Sequence, residues 1–424
     1  MKKMLALATV LVMVFLTCAA MTAACGAETV SLTYLETQPT EEKTKLTRAM
    51  LDAFMEANPG ITVELISTPN DQAMEKLMTM AIGGTLPDVV ELNDSWMAPL
   101  ASSGNLEPLD GYVAASPLKD DIVENAFSLG RVMDNTLYYI PYGLWGLAVY
   151  YNKAMLEATG LEPPVTQDDY YAVAKAMTDA SAGKYGYSFR GGIYGVPHAM
   201  MWMLSEMGSP AYFDADGKCT LDTPEAIEGL RKYAELYSVS PPDSTNWAFR
   251  ECVAGFTTEV TGLLIQSNEV VAICNDEMGE GKFDTTMLPL GSSGKVFDTG
   301  GQTGYAMSSK SQNKEAAWAL LEFLLDSANS REFVVSMGFS PINKSLADDP
   351  AFSEGPVKVY MEQVMSDKYA YAQTPSYLPE WGEFVMNFGT TEVQKLFLGM
   401  QSAEETAKIL ADYLNEAKAN YDAQ

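Results

Sequence analysis

The sequence predicts an α/β protein of two lobes, each a mostly parallel sheet flanked by helices. Three observations carry the prediction. The segments between residues 29 and 92 alternate strand, helix, strand, helix, strand. A second alternation of the same kind runs from 138 to 327. The chain's 424 residues are too many for one ordinary core and suit two domains that exchange segments.

The elements follow in order. "TVSLTYLE" (29–36) is rich in β-formers and alternates in part, so it makes a strand. "PTEEKTKLTRAMLDAFMEANPG" (39–60) makes a helix. Thr40 caps it, Glu41 and Glu42 suit its positive end, and Leu46, Met50, Ala53 and Phe54 mark one face. Asn58-Pro59-Gly60 stops it. "ITVELIS" (61–67) is the second strand. "NDQAMEKLMTMAIGG" (70–84) is a helix with Met74, Leu77, Met78 and Ala81 on one side, and "PDVVEL" is the third strand. Right-handed crossovers line up the carboxyl ends of such strands along one edge, where open α/β sheets bind ligands. Further along, "YYIPYGLWGLAVYYNKAMLEATG" passes from strand to helix through Asn152, and "TQDDYYAVAKAMTD" is a capped helix. "YGYSFRGG" is a strand running into glycines, and "HAMMWMLSEMG" a very apolar helix. "FDADGKCTLDTPEAIEGLRKYAELY" is a tight hairpin followed by a helix from Thr223-Pro224. Strand then helix recurs in "TGLLIQSNEVVAICNDEM" and in "GGQTGYAMSS" with "NKEAAWALLEFLLDS", and the last seventy residues are mostly helical.

Composition bounds the function. Hydrophobic residues make up 47% and charged residues 20%, which is globular. A formal net charge of −29 repels phosphate backbones, so nucleic acid is excluded as a natural partner. Lys2 and Lys3, then the apolar run Met4–Phe15 and the small residues of "CAAMTAACG", form a secretory signal, residues 1–24, too short for a membrane span. Cys25 with Gly26 resembles the lipobox of bacterial lipoproteins, with Thr22 where leucine is usual, so Cys25 is the expected lipidation site. Ordinary cleavage as a secreted protein is the other reading. Cys219, Cys252 and Cys274 have no paired spacing, which points to buried thiols rather than a zinc site or a disulfide framework, with one bridge at most. No HExxH, P-loop, GxGxxG or GxSxG pattern is present; "DADG" (214–217) lacks the rest of a calcium loop and reads as a β-turn. No metal or cofactor is expected.

The order and spacing of "FMEANPGITVEL", "GGTLPDVVEL", "YYIPYG", "VYYNKAML", "FDADGKCTLDTPEA", "GGQTGYAMSSKSQNKEAAWALLEFL" and "GFSPINKSL" resemble the extracellular solute-binding proteins of bacterial ABC importers, in the branch that binds sugars and polyols. The resemblance covers nearly the whole mature chain. It implies a periplasmic-binding-protein fold, two lobes joined by a hinge of several crossings, with the solute in the cleft between them. Carried onto this sequence, the crossings fall near Ile140–Gly143, Gly300–Gly304 and Ser340–Asn343. Lobe one is then 27–141 plus 302–341, and lobe two 142–301 plus 342–424 with the C-terminal helices. At 256–266 the chain reads "FTTEVTGLLIQ" where relatives carry a "FxxGxxAM" run, which loosens the register there.

A sugar site wants flat aromatics for ring faces and Asp, Glu, Asn, Gln or Arg for hydroxyls. Of six tryptophans, Trp202 and Trp318 sit in apolar helices and read as core. Trp96, Trp145, Trp247 and Trp381 sit at element edges, where the cleft or a packing role is open to each. Asn93 and Asp94 end the third strand and Glu36 the first; hydroxyl binding and capping are the two readings. Gly191-Gly192 are expected to let backbone approach a ligand closely, and Arg190 before them forks onto hydroxyls or a ligand carboxylate, or else forms a salt bridge. Gln266, Asn268 and Asn246 sit at strand-to-helix junctions whose N–H groups converge. The crossings add Tyr142, Gly301 and Gln302. The single histidine, His198, opens an apolar helix and reads as structural.

The expected protein is a non-catalytic receptor, a monomer held at the membrane by a lipid or free in the periplasm. It captures a carbohydrate by hinge closure and delivers it to an ABC permease. Two alternatives stand beside it. A secreted carbohydrate-active hydrolase or lyase draws on the 56 acidic residues for a carboxylate pair. A surface adhesion lipoprotein binds a macromolecule without closing a cleft.

Overall fold

The computed structural model describes residues 29–131 and 135–423. The signal segment and Cys25 lie outside the described residues. The strands are β1 (Val30–Glu36), β2 (Ile61–Ser67), β3 (Val89–Asn93), β4 (Ile140–Pro141), β5 (Leu147–Asn152), β6 (Tyr185–Tyr187), β7 (Thr261–Ser267), β8 (Phe283–Thr286), β9 (Val296–Asp298), β10 (Thr303–Met307) and β11 (Tyr369–Tyr371). They form one sheet in the order β2-β1-β3-β10-β4, a second in the order β6-β7-β5-β8, and the pair β11-β9. Helices cover the sheets, in the two-lobed architecture that the sequence predicts.

The local signals explain the elements. Thr40 caps the helix Glu41–Ala57 by accepting from the Lys43 N–H, and Met50, Leu51 and Phe54 bury its inner face. Ala53, expected on that face, is exposed, while Lys43 and Thr47 are buried. Thr166 and Asp169 form a capping box, and Pro224 opens the helix that Thr223 caps. Asn152 ends β5 and caps the helix Lys153–Thr159. Val89, Val90 and Leu92 are fully buried, as a central strand requires. Trp202 and Trp318 are core residues, the latter stacked on Tyr112 at 5.4 Å.

The expectation of mostly parallel sheets needs correction. β1–β2, β1–β3 and β6–β7 are parallel, but β10 runs antiparallel to both its neighbours and so does β5. The reason is connectivity. β5 and β10 are the strands that carry the chain into a lobe from the hinge. Each starts at the cleft edge and runs away from it, while its neighbours run towards it. The sheets are therefore mixed, each around one reversed strand. Past the third crossing segment, Leu144 pairs with Ser340, yet Lys344 and Ser345 still bond to Asp120 and Asp121, and Arg331 to Asp349. Contact with the second sheet begins later, where Thr285 Oγ1 donates to the Pro356 carbonyl at 2.5 Å, followed by Tyr360 Oη against Tyr150 Oη at 2.7 Å. Cys219, Cys252 and Cys274 are buried free thiols, and burial pushes each up to about 12.

Candidate functional site

A cavity of about 730 Å³ opens between the two sheets, where the chain crosses. β3 and the helix Asp94–Ser102 supply its first wall: the strand ends at Asn93, and Asp94 and Trp96 stand in the helix's first turn. The first crossing supplies Trp145 and the second Gly301. The second lobe supplies Arg190 and, from a late segment, Trp381. Seven expected residues, Asn93, Asp94, Trp96, Trp145, Arg190, Gly301 and Trp381, thus line one space.

Two of the three indoles are braced by other aromatic rings. Trp145 meets Phe339 edge-on at 5.2 Å. Trp381 stacks on Phe384 at 5.5 Å and meets Tyr212 edge-on at 5.4 Å. Half-exposed aromatics held in this way give ring faces without loss of side-chain order. Asp94 Oδ2 accepts from the Gln302 N–H at 3.2 Å.

The other seven do not line the cavity, and each has a physical reason. Glu36 is fully buried and accepts from Thr44 and Ser67 hydroxyls at 2.9 and 2.8 Å, protein donors in place of a ligand's. Tyr142 is buried between Tyr305, Phe333 and Phe339. Gln302 is spent on the Trp145 backbone, which makes it a positioning residue. Trp247 packs over Gly255 and donates to Asp243 at 3.1 Å. Asn246 lies beside it, where its carbonyl is 2.7 Å from the point a Cβ on Gly192 would occupy. Gln266 accepts from its own neighbour Ser267. Asn268 lines a separate cavity of about 230 Å³ that also touches Phe339, behind Trp145.

Gly191 and Gly192 correct a further expectation. They admit protein backbone, not a ligand: Gly191 N–H donates to Ser244 O at 3.1 Å and Gly192 N–H to Trp247 O at 2.8 Å. A Cβ at either would strike residues 244–247. That close seam fixes the loop that carries Arg190.

Several cavity residues were not legible as candidates. Residues 374–386 bring Tyr377 and Met386 over the opening from a stretch with no motif. Tyr194 stands at φ 63°, a left-handed conformation that only a turn into the helix Gly195–Met207 demands. His198 lines the wall but is buried; burial first, then the Arg190 guanidinium, push it down to about 3, so its ring is neutral. Asp298 is fully buried where β9, β5 and β11 meet, accepting from Leu147 and Gly300 N–H groups and from Tyr369 Oη. Burial pushes its carboxyl up, against the pull of those donors. Among the described residues no group of side chains has a metal-binding arrangement, and no helix is long and apolar enough to cross a membrane.

Comparison with known proteins agrees with this geometry. A family model described as bacterial extracellular solute-binding protein matches residues 37–330. A binding protein of Brucella abortus (strain 2308) is 26% identical over 359 residues, 84% of this chain and 85% of its own. The galactooligosaccharide-binding protein of Bacillus subtilis (strain 168) is 24% identical over 390 residues, 87% and 88% of the two chains. In fold, the sugar-binding protein MalE of Xanthomonas citri superposes with a TM-score of 0.80 at 20% identity, over 93% of this chain and 98% of that one.

Proposed function

This chain belongs to the family of bacterial extracellular solute-binding proteins, and from that premise we propose that it captures a carbohydrate between its lobes and delivers it to an ABC permease. The carrying observation is the set of three indoles, Trp96, Trp145 and Trp381, the last two braced by aromatic partners, around one cavity that also holds Asp94 and Arg190. Ring faces and hydroxyl partners from both lobes meet only when the lobes close, and that differential contact drives closure. Relatives named for galactooligosaccharide and maltotriose binding support the solute class.

The protein acts as a receptor, not an enzyme. Relatives named for binding a saccharide support this reading. We place the lobes at 27–141 plus 302–341 and 142–301 plus 342–424, with the third crossing drawn out towards 349–356 by the bonds of Lys344, Ser345 and Asp349. Cys25 is the proposed acylation site, and the folded part works as a monomer outside the cytoplasmic membrane.

A calorimetric and thermal-shift screen of the mature chain against sugars, oligosaccharides, polyols, amino acids and peptides tests the reading. Saturable binding of a saccharide recovered unchanged after long incubation is expected. Cleavage of the saccharide, or stabilisation by peptides or amino acids alone, overturns it.

A further inference from the structure

Arg190 brings its guanidinium into the cavity. Its Nε donates to the Ile193 carbonyl at 3.2 Å, and its Cζ lies 5.8 Å from the centre of the Tyr194 ring. Among the described residues, Nη1 and Nη2 have no hydrogen-bond or ion-pair partner. Acids outnumber bases 56 to 27 in this chain, so a shortage of carboxylates is not the cause.

The surrounding wall is electropositive as well. The 13-residue helix Gly195–Met207 starts beside Arg190 with no side-chain cap, so its dipole adds partial positive charge there. In its first turn the neutral ring of His198 is 3% exposed and adds no negative charge to offset the guanidinium, and among the described residues its Nδ1 has no hydrogen-bond partner. Asp94, the one carboxylate on the cavity wall among the described residues, stands on the other lobe and accepts from the Gln302 N–H. When the lobes close and water leaves, a neutral sugar leaves the guanidinium charge uncompensated. A carboxylate matches its planar fork with two parallel hydrogen bonds.

We propose that the solute is an anionic saccharide whose carboxylate, as in a uronic acid, pairs with Nη1 and Nη2 of Arg190 while its hydroxyls face Asp94 and its rings face the indoles. The assignment rests on the carbohydrate reading above. Arg190 is then the residue that sets specificity within the site.

Calorimetry with matched saccharide pairs, each uronate beside its neutral parent and a sulfated analogue, tests this on the wild type, Arg190→Gln and Arg190→Lys. In the wild type a uronate is expected to bind at least about tenfold tighter than its parent, as a charge-assisted pair implies. Arg190→Gln brings that ratio close to one, Arg190→Lys keeps part of it, and added salt lowers it. The wild-type ratio stands as evidence whatever the variants' stability. Neutral parents binding as tightly as uronates, or a preference for the sulfated analogue, overturns the carboxylate assignment and leaves carbohydrate capture intact. Binding of a non-carbohydrate solute with no saccharide bound at all sinks both.

Discussion

Gln302 clamps the backbone of Trp145 from both sides. The Trp145 N–H donates to Gln302 Oε1 at 2.9 Å, and Gln302 Nε2 donates to the Trp145 carbonyl at 2.7 Å. The main chain of Gln302 also pairs with Asp94, whose N–H donates to the Gln302 carbonyl at 2.9 Å. One residue of the second crossing therefore fixes an indole on the first crossing relative to the carboxylate of lobe one.

Replacing that side chain separates positioning from contact. Gln302→Ala strands the Trp145 N–H, while the Trp145 carbonyl keeps the Tyr371 hydroxyl at 3.2 Å. A cost of about 1–3 kcal/mol in stability is expected, with solute affinity lowered about tenfold. Urea melts and calorimetry check both. Unchanged affinity would show that Trp145 needs no clamp.

Trp96 and Trp318 are expected to respond in opposite ways. Trp96 lines the cavity and is half-buried, so Trp96→Ala weakens binding about tenfold or more and shifts the unliganded melt little. Trp318 is buried against Tyr112, so Trp318→Ala costs about 3–5 kcal/mol of stability and leaves the affinity of the folded protein alone. Affinity loss in Trp318→Ala greater than in Trp96→Ala contradicts this division.

The contrast shows what the sequence could carry. Trp96 was legible because a polar strand end followed by an aromatic marks a sheet edge. Trp318 was legible because its neighbours are apolar at helical spacing. Gln302 was expected in the cleft but lies beside it, because whether an amide faces ligand or backbone depends on a partner 157 residues away. Gly191 and Gly192 signalled close approach, but to protein backbone rather than to the expected ligand. Direction of the sheet strands was misread at β5 and β10, because local patterning does not record which lobe a strand has just left. Of the segment 374–386 only Trp381 was legible, and tertiary packing alone brings the rest to the cavity.

The histidine gives a pH prediction of definite sign. Burial and Arg190 push His198 down to about 3 from its ordinary 6.5. Between those values the unfolded chain binds the extra proton and the folded one does not, so stability falls as pH drops below 6.5. Roughly 2 kcal/mol is expected to be lost by about pH 5, and His198→Phe removes that slope. Guanidinium melts across the range measure it. Affinity at folded conditions stays flat between about pH 5 and 8, since the ring does not titrate there; a step in affinity near 6.5 contradicts the neutral histidine.

Lys43 and Glu91 form a buried ion pair behind the first crossing. Their side chains are 7% and 0% exposed, Glu91 Oε2 has no hydrogen-bond partner among the described residues, and Tyr142 Oη lies 3.5 Å from Oε1. Helix periodicity cannot disclose such a lysine, because its position follows from the strand it meets. Burial raises the Glu91 carboxyl, and Lys43 pulls it back down. Lys43→Met removes that pull. The folded-state value then rises further, so the variant loses stability as pH climbs from the unfolded value through the raised one. At neutral pH a cost of about 3–5 kcal/mol is expected, smaller in mild acid. The double variant Lys43→Met with Glu91→Gln leaves no buried charge and keeps an acceptor for Tyr142, so it recovers most of the loss. Urea melts of the two singles and the double close the cycle. Equal stability of Lys43→Met and wild type at neutral pH contradicts a charged pair whose loss strands the Glu91 carboxylate.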